Sequence, residues 1–328
     1  GVLSQVGRRD VVKAGWVAAV WSLAALLTAI WSLAWALGLP VSKTITPDVV
    51  STYAWSVGSV RAFLLVAIIA AVIAVVSIFT ATVTGAGASL AGALIAVALP
   101  ALTGHASSLG SHGVAMTSDV VHALAVTVWV GGLVILLFHA VRNDPGTMRA
   151  VPVFRTVATW SVVFLAISGA GAAFARMNSV SELWSTSFGI LISLKVLLFF
   201  GLLMTARTMQ SKVLDSGMEA RPALIRFGGI EALLMAAAVG IGVALTQTAY
   251  PRTEIEYPTN AETLLGQAFP PPPTAMNVFL GWKVEPLFLG LAILGVGLYV
   301  AGVIKLRRRG DKWPLVQTAS WILGWLFV

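Results

Sequence analysis

The chain has 328 residues, of which 58% are hydrophobic and only 10% charged, a balance far outside the soluble globular range and that of a polytopic membrane protein. The formal net charge of +8 comes from Lys and Arg set between apolar runs, which reads as membrane orientation and gives no support to nucleic-acid binding. Cysteine is absent, so disulfides, iron–sulfur ligation and thiolate metal sites are excluded, and any metal must be held by His, Met, Asp, Glu or backbone.

Crossing about 30 Å of hydrocarbon takes about 20 apolar residues. A window of that length predicts seven spans before a longer polar stretch, at 14–38, 60–82, 86–104, 115–140, 156–175, 187–206 and 227–249. Two more follow at 284–304 and 314–328. The expected fold is therefore all-α, a polytopic transmembrane bundle of about nine spans. The chain opens on Gly1 and stops inside an apolar run, so a longer gene product is expected. The N-terminal "GRRDVVK" partly resembles a twin-arginine export signal. The apolar run after it, at about 25 residues, exceeds a signal h-region and carries no clear small-x-small cleavage site, so a retained first helix is predicted. Trp16, Trp31 and Trp35 would then mark the two membrane interfaces.

Short loops keep their Lys and Arg on the cytoplasmic side. Arg8, Arg9 and Lys13 precede the first span; Arg142, Arg149 and Arg155 follow the fourth; Arg207, Lys212, Arg221 and Arg226 separate the sixth from the seventh; Lys305, Arg307, Arg308, Arg309 and Lys312 follow the eighth. All fall on one side, which makes the N-terminus cytoplasmic. The opposite loops carry few cations, and the acidic stretch after the seventh span ends in four prolines that form a stiff spacer. In a chain without cysteine, Ser108→Cys in intact cells should therefore react with an impermeant thiol reagent while Asn143→Cys stays unlabelled. The reverse labelling would invert the topology.

Three of the four histidines lie between residues 104 and 132, where a polar loop runs into the fourth span. His105 sits at the outer end of the third span, His112 in the loop, and Met116, Asp119 and His122 where the fourth span begins. Met116 to Asp119 and Asp119 to His122 are each i, i+3, so consecutive pairs share a side of the helix while Met116 and His122 are splayed apart. Imidazole and thioether suit copper, cuprous ion above all, whereas one carboxylate and no thiolate fit neither a calcium or magnesium cage nor structural zinc. The spacing also allows Asp119 to accept the second ring N–H of His122 or His105. His112 beside Gly113 equally fits a solvated loop residue, and Asp119 a first-turn carboxylate favoured by the helix dipole. His122 lies deeper, where an ionisable side chain needs a partner or a water-filled path. His139, about 25 Å away at 1.5 Å per residue, belongs to the cytoplasmic interface.

Lys195 in the sixth span and Glu231 in the seventh are a further pair of intramembrane charges, read as a structural or bridged ion pair, with proton or cation passage as the sharper alternative. Small-residue patches at 85–93 and 168–175 permit close helix approach. No GxxxxGK[ST], HExxH or strand-borne GxGxxG occurs, so nucleotide-driven pumping and zinc hydrolysis have no support and a non-enzymatic protein is expected.

The segment "GHA…SDVVHALAVTVWVGGL", with the later "SFGILISLKVLLFFGLL" and "RFGGIEALLMAAAVGIGVALTQTAYP", resembles the copper resistance protein D (CopD) family of bacterial membrane proteins over roughly residues 55–251. The resemblance implies copper movement between the outside of the plasma membrane and the cytoplasm, beside an extracytoplasmic CopC-like copper carrier. It makes His105 and His122 the copper-handling residues and Trp129, Gly131 and Gly132 helix-packing positions; His112, Met116 and Asp119 rest on spacing alone. Residues 281–324, "GWKVEPLF…KLRRRGDKWPLVQTASWILG", are similar to the first two helices of the cytochrome c oxidase assembly factor CtaG family, a fusion found in actinobacteria. The implied organisation is a CopD-like domain over 1–250, a Pro-rich extracytoplasmic linker over 251–283 and a truncated CtaG-like module over 284–328. The reading is copper transport or handling in the bacterial plasma membrane, with copper ion and membrane lipids as partners. Two alternatives stand beside it: a copper-binding assembly factor acting on cytochrome c oxidase subunits without transport, and a haem-binding electron carrier using His105 and His122.

Overall fold

Apolar runs this long have one economical way to satisfy their backbone N–H and C=O groups in hydrocarbon, which is to bond within themselves as helices. In the computed structural model, described for residues 1–103, 112–144, 146–215, 220–251 and 286–308 and for positions 274, 276 and 318, they do so. The helices are α1 (Gln5–Leu37), α2 (Val41–Thr44), α3 (Pro47–Tyr53), α4 (Gly58–Phe79), α5 (Val83–Leu102), α6 (His112–Val141), α7 (Thr147–Arg176), α8 (Glu182–Ser185), α9 (Ser187–Asp215), α10 (Ala220–Thr246) and α11 (Pro286–Arg308). Seven of them, α1, α4, α5, α6, α7, α9 and α10, are long and apolar enough to cross a membrane. Among the described residues no strand forms; the N-terminus adds an isolated bridge from Val2 to Thr82 in the α4–α5 turn. The predicted span at 314–328 lies outside the described residues.

Most of the spanning helices begin ahead of the predicted spans, because a hydropathy window stops at the first charges while helical hydrogen bonding continues into the interface, whereas α1, α4, α5 and α10 stop slightly short of the predicted ends. α1 starts at Gln5, where Ser4 Oγ accepts from Gly7 N at 3.1 Å, and stops at Gly38, whose φ of 62° is the left-handed conformation glycine tolerates. α6 begins at His112, so this residue opens a helix and is not in the loop expected for it. The short helices α2, α3 and α8 carried too little periodic signal to be predicted.

Large apolar side chains face outward: Leu23 is 63% exposed, Phe79 76%, Ile167 64% and Leu233 72%. On a water-soluble surface this would be an aggregation liability, and on a membrane bundle it is the lipid face. Inward positions are small, as expected where lipid supplies no hydrophobic drive and packing must come from close approach. α1, α4 and α5 close on Ala25, Val66, Ala67 and Ala96, with Ala29, Leu33 and Val60 one level outward. α6, α7, α9 and α10 close on Ala125, Trp129, Leu133, Leu165, Leu202 and Met235.

At the end that the cation pattern assigns to the cytoplasm, polar contacts tie these two groups together. His139 of α6 bonds Asp144 through Nδ1 at 2.7 Å, and its Nε2 lies 3.4 Å from Asp10 of α1. Arg221 donates to the carbonyls of Ala140 and Val141 at 2.7 and 3.3 Å, satisfying the open C-terminus of α6. At the other end α8 folds back so tightly on α9 that a Cβ on Gly189 would overlap the Glu182 carbonyl oxygen and stand 2.6 Å from Leu183 Cα. Both neighbours are backbone and cannot rotate away. Gly189→Ala should therefore destabilise the protein by at least about 2 kcal/mol, read as a lower melting temperature in detergent; an unchanged melt would show the α8–α9 turn to be wider than described.

Candidate functional site

At the ends opposite the cation-rich ones, α6 and α7 approach closely because the facing residues are small. Ala115 and Ala175 are fully buried against each other, and a Cβ on Gly171 would overlap Ser118 Oγ. This is where the small-residue patch at 168–175 acts. One turn further along the same two stripes, polar side chains take over.

His122 Nδ1 lies 3.1 Å from Ser168 Oγ on α7, and Ser168 is only 3% exposed. The serine hydroxyl has one proton, which it directs to the Leu165 carbonyl at 3.3 Å. With the hydroxyl proton on that carbonyl, the oxygen is open to accept from Nδ1–H of His122, the tautomer that leaves the Nε2 lone pair for a ligand. Spacing put Asp119 in that supporting role. In the structure Asp119 is taken by Arg176, the last residue of α7, with Nη2 to Oδ2 at 2.5 Å. A permanently charged guanidinium that is 8% exposed competes for a carboxylate better than a neutral imidazole does. Arg176 also donates from Nη1 to Ala172 O at 3.2 Å and stacks 5.4 Å from the Tyr250 ring, which meets Phe188 edge-on at 5.3 Å. Arg176 is not among the residues that the sequence singles out.

Lys195 of α9 stands within electrostatic range of both Asp119 and His122, with Nζ 3.6 Å from the position a Cβ would take on Gly242 of α10. Glu231 is buried at 6% exposure. The ion pairs among the described residues are those of His139 and of Arg176, so Lys195 and Glu231 make no direct pair and Lys195 faces Asp119 instead. Its depth, closer to the outer end than that of Glu231, decides this.

Of the remaining candidates, Met116 is half-buried on α6, His105 lies outside the described residues, and His112 is described only as the first residue of its helix. Among the described residues no three His, Asp or Glu side chains gather as a metal cage. What they supply is one oriented imidazole, a thioether two turns earlier, and a carboxylate shared between two cations. Trp129 is buried in the core at 6% exposure and Gly132 meets Phe154 at 2.7 Å from a Cβ position, both as packing residues, whereas a Cβ on Gly131 would meet nothing within 4 Å.

The partners of His122 and Asp119, together with Lys195 and Glu231, all lie on α7, α9 and α10, and that stretch matches a known family. Residues 148–245 match the family Copper resistance protein D. The CopD match takes in α7, α9 and α10 and stops short of α6, so it covers part of the 55–251 likeness read from the sequence. An uncharacterized protein of Mycobacterium leprae is 38% identical over 64 residues, which is 19% of this chain and 10% of the relative. Uncharacterized proteins of Mycobacterium bovis and Mycobacterium tuberculosis are each 38% identical over 65 residues, again 19% of this chain and 10% of the relative. The chain thus aligns with only a tenth of the length of these curated relatives. No solved structure matches.

Proposed function

We propose that this protein handles copper in the membrane, receiving it at an outer His/Met segment formed by His105, His112 and Met116 and passing it to Nε2 of His122 inside the α6–α7 pair. The observation that carries the reading is the contact of His122 Nδ1 with Ser168, with no partner of Nε2 among the described residues, where Ser168 lies in the segment that matches CopD. Orientation of a ligand imidazole through its other ring nitrogen is the usual support of a metal-binding histidine. The charge balance favours the singly charged ion. Arg176 and Lys195 bring two cations near His122 against the one carboxylate of Asp119, so Cu(I) adds less electrostatic cost there than a divalent ion would, and imidazole with thioether is its preferred donor set. A CopC-like carrier would deliver copper on the outer side, and the CtaG-like tail would place the protein near oxidase assembly.

Copper uptake into proteoliposomes tests the reading. The purified chain should accumulate copper, and His122→Ala should not. Stoichiometric copper binding without accumulation would make the protein a holding or assembly factor, and a Soret band in the purified protein would make it a haem carrier.

A further inference from the structure

We propose a binding site for an anionic phospholipid headgroup at the cytoplasmic end of α1, with the acyl chains running down the same helix face. Gln5, Arg8, Arg9, Val12, Lys13 and Trp16 line a shallow cleft of about 540 Å³ there. These positions recur at three- and four-residue intervals and so share one face of α1. Arg8, Arg9 and Lys13 are exposed, and Arg142 of the α6–α7 loop joins them: Lys13 Nζ is 5.4 Å and Arg142 Cζ 5.0 Å from the centroid of the same Phe138 ring. The carboxylates at this corner are Asp10 and Asp144, and both are engaged by His139. No ion pair of Arg8, Arg9, Lys13 or Arg142 occurs among the described residues. Four cations thus converge where the nearby acids are already used, and a phosphate is the counter-charge that fits.

The continuation of the face selects lipid over a soluble anion or an acidic protein. Below Trp16, itself 73% exposed, the stripe runs through Val20 at 66%, Leu23 at 63% and Leu27 at 68% to Trp31 at 69%. It is an unpartnered apolar track beginning directly under the cations, with a tryptophan at the level where headgroups and chains meet. A soluble phosphate would use the cations and leave the track bare; a glycerophospholipid uses both. The site is independent of how copper is handled.

Native mass spectrometry of the full chain in detergent, titrated with phosphatidylglycerol, phosphatidylcholine and inorganic phosphate, tests the site. Phosphatidylglycerol should be retained on the order of tenfold better than phosphatidylcholine, and Arg8→Gln with Arg9→Gln should lower that retention by on the order of tenfold or more, since each cation near an anionic headgroup contributes about fivefold. Lys13→Gln, read in parallel, should lower it about fivefold and covers the case in which the double variant fails to fold. Arg207→Gln, an exposed cation on α9 that does not line this cleft, should leave it unchanged. Equal retention of the two lipids, no loss in either α1 variant, or an equal loss in Arg207→Gln would overturn the proposal. Displacement of phosphatidylglycerol by equimolar inorganic phosphate or by a polyglutamate peptide would also overturn it, making the patch a soluble-anion or protein-docking surface.

Discussion

Asp119→Asn is expected to cost about 2–3 kcal/mol of stability. The carboxylate is the counter-charge of Arg176 at 2.5 Å and faces Lys195, and the Arg176 side chain is only 10% exposed. Removing one partner of a buried pair typically costs about 3–5 kcal/mol because the other is left uncompensated, and the Asp119 side chain, 33% exposed, reduces that range through solvent screening. The amide that replaces the carboxylate could still accept one hydrogen bond but would leave two cations between α6, α7 and α9 without a counter-charge. Arg176→Met should cost less, because the orphaned carboxylate is the more solvated member and keeps Lys195 beside it. The double replacement Asp119→Asn with Arg176→Met should recover part of the loss, since it removes the orphaned guanidinium while Lys195 still lacks its counter-charge. Thermal melts of the three variants in one detergent check this. A strictly additive double variant would mean that the two side chains do not interact.

The spans were legible because hydrocarbon imposes a length and a composition on any segment that crosses it, and each of the first seven predicted runs lies almost entirely within a helix of the bundle. The small-residue patch at 168–175 was legible for the same physical reason and appears as the Gly171–Ser118 and Ala175–Ala115 contacts. Arg176 was missed because it is the first charge after an apolar run and so looks like a span boundary. The signal that could have found it was its side: a cation on the sparsely charged outer face needs a partner, and Asp119 was the available intramembrane carboxylate. Ser168 was missed because one serine in an apolar helix most often bonds its own preceding carbonyl, as it also does here with Leu165. Sequence spacing reports neighbours on one helix, whereas both site contacts join α6 to α7 and depend on how two helices are rotated against each other. Lys195 and Glu231 make no direct ion pair among the described residues because they lie at different depths.

The largest functional effect is expected at His122. If Nε2 of this residue is the acceptor of copper within the bundle, His122→Ala should remove most of the copper bound by the purified protein while leaving its melting temperature little changed, since the imidazole contributes one neutral hydrogen bond, to Ser168, worth about 1 kcal/mol. Ser168→Ala separates orientation from ligation. It keeps both ring nitrogens but releases the tautomer, and loss of such a support ordinarily weakens metal affinity about 10- to 100-fold, so copper should titrate on more weakly without disappearing. His112→Ala should cost less than either, because it removes one donor from an outer segment that also holds His105 and Met116. Bound copper measured by mass spectrometry of the three variants, each with a melting curve, orders these effects as His122 above Ser168 above His112. Full copper retention in a normally melting His122→Ala would move the ligand set away from the α6–α7 pair and leave the Ser168 contact as a packing feature of two closely approaching helices.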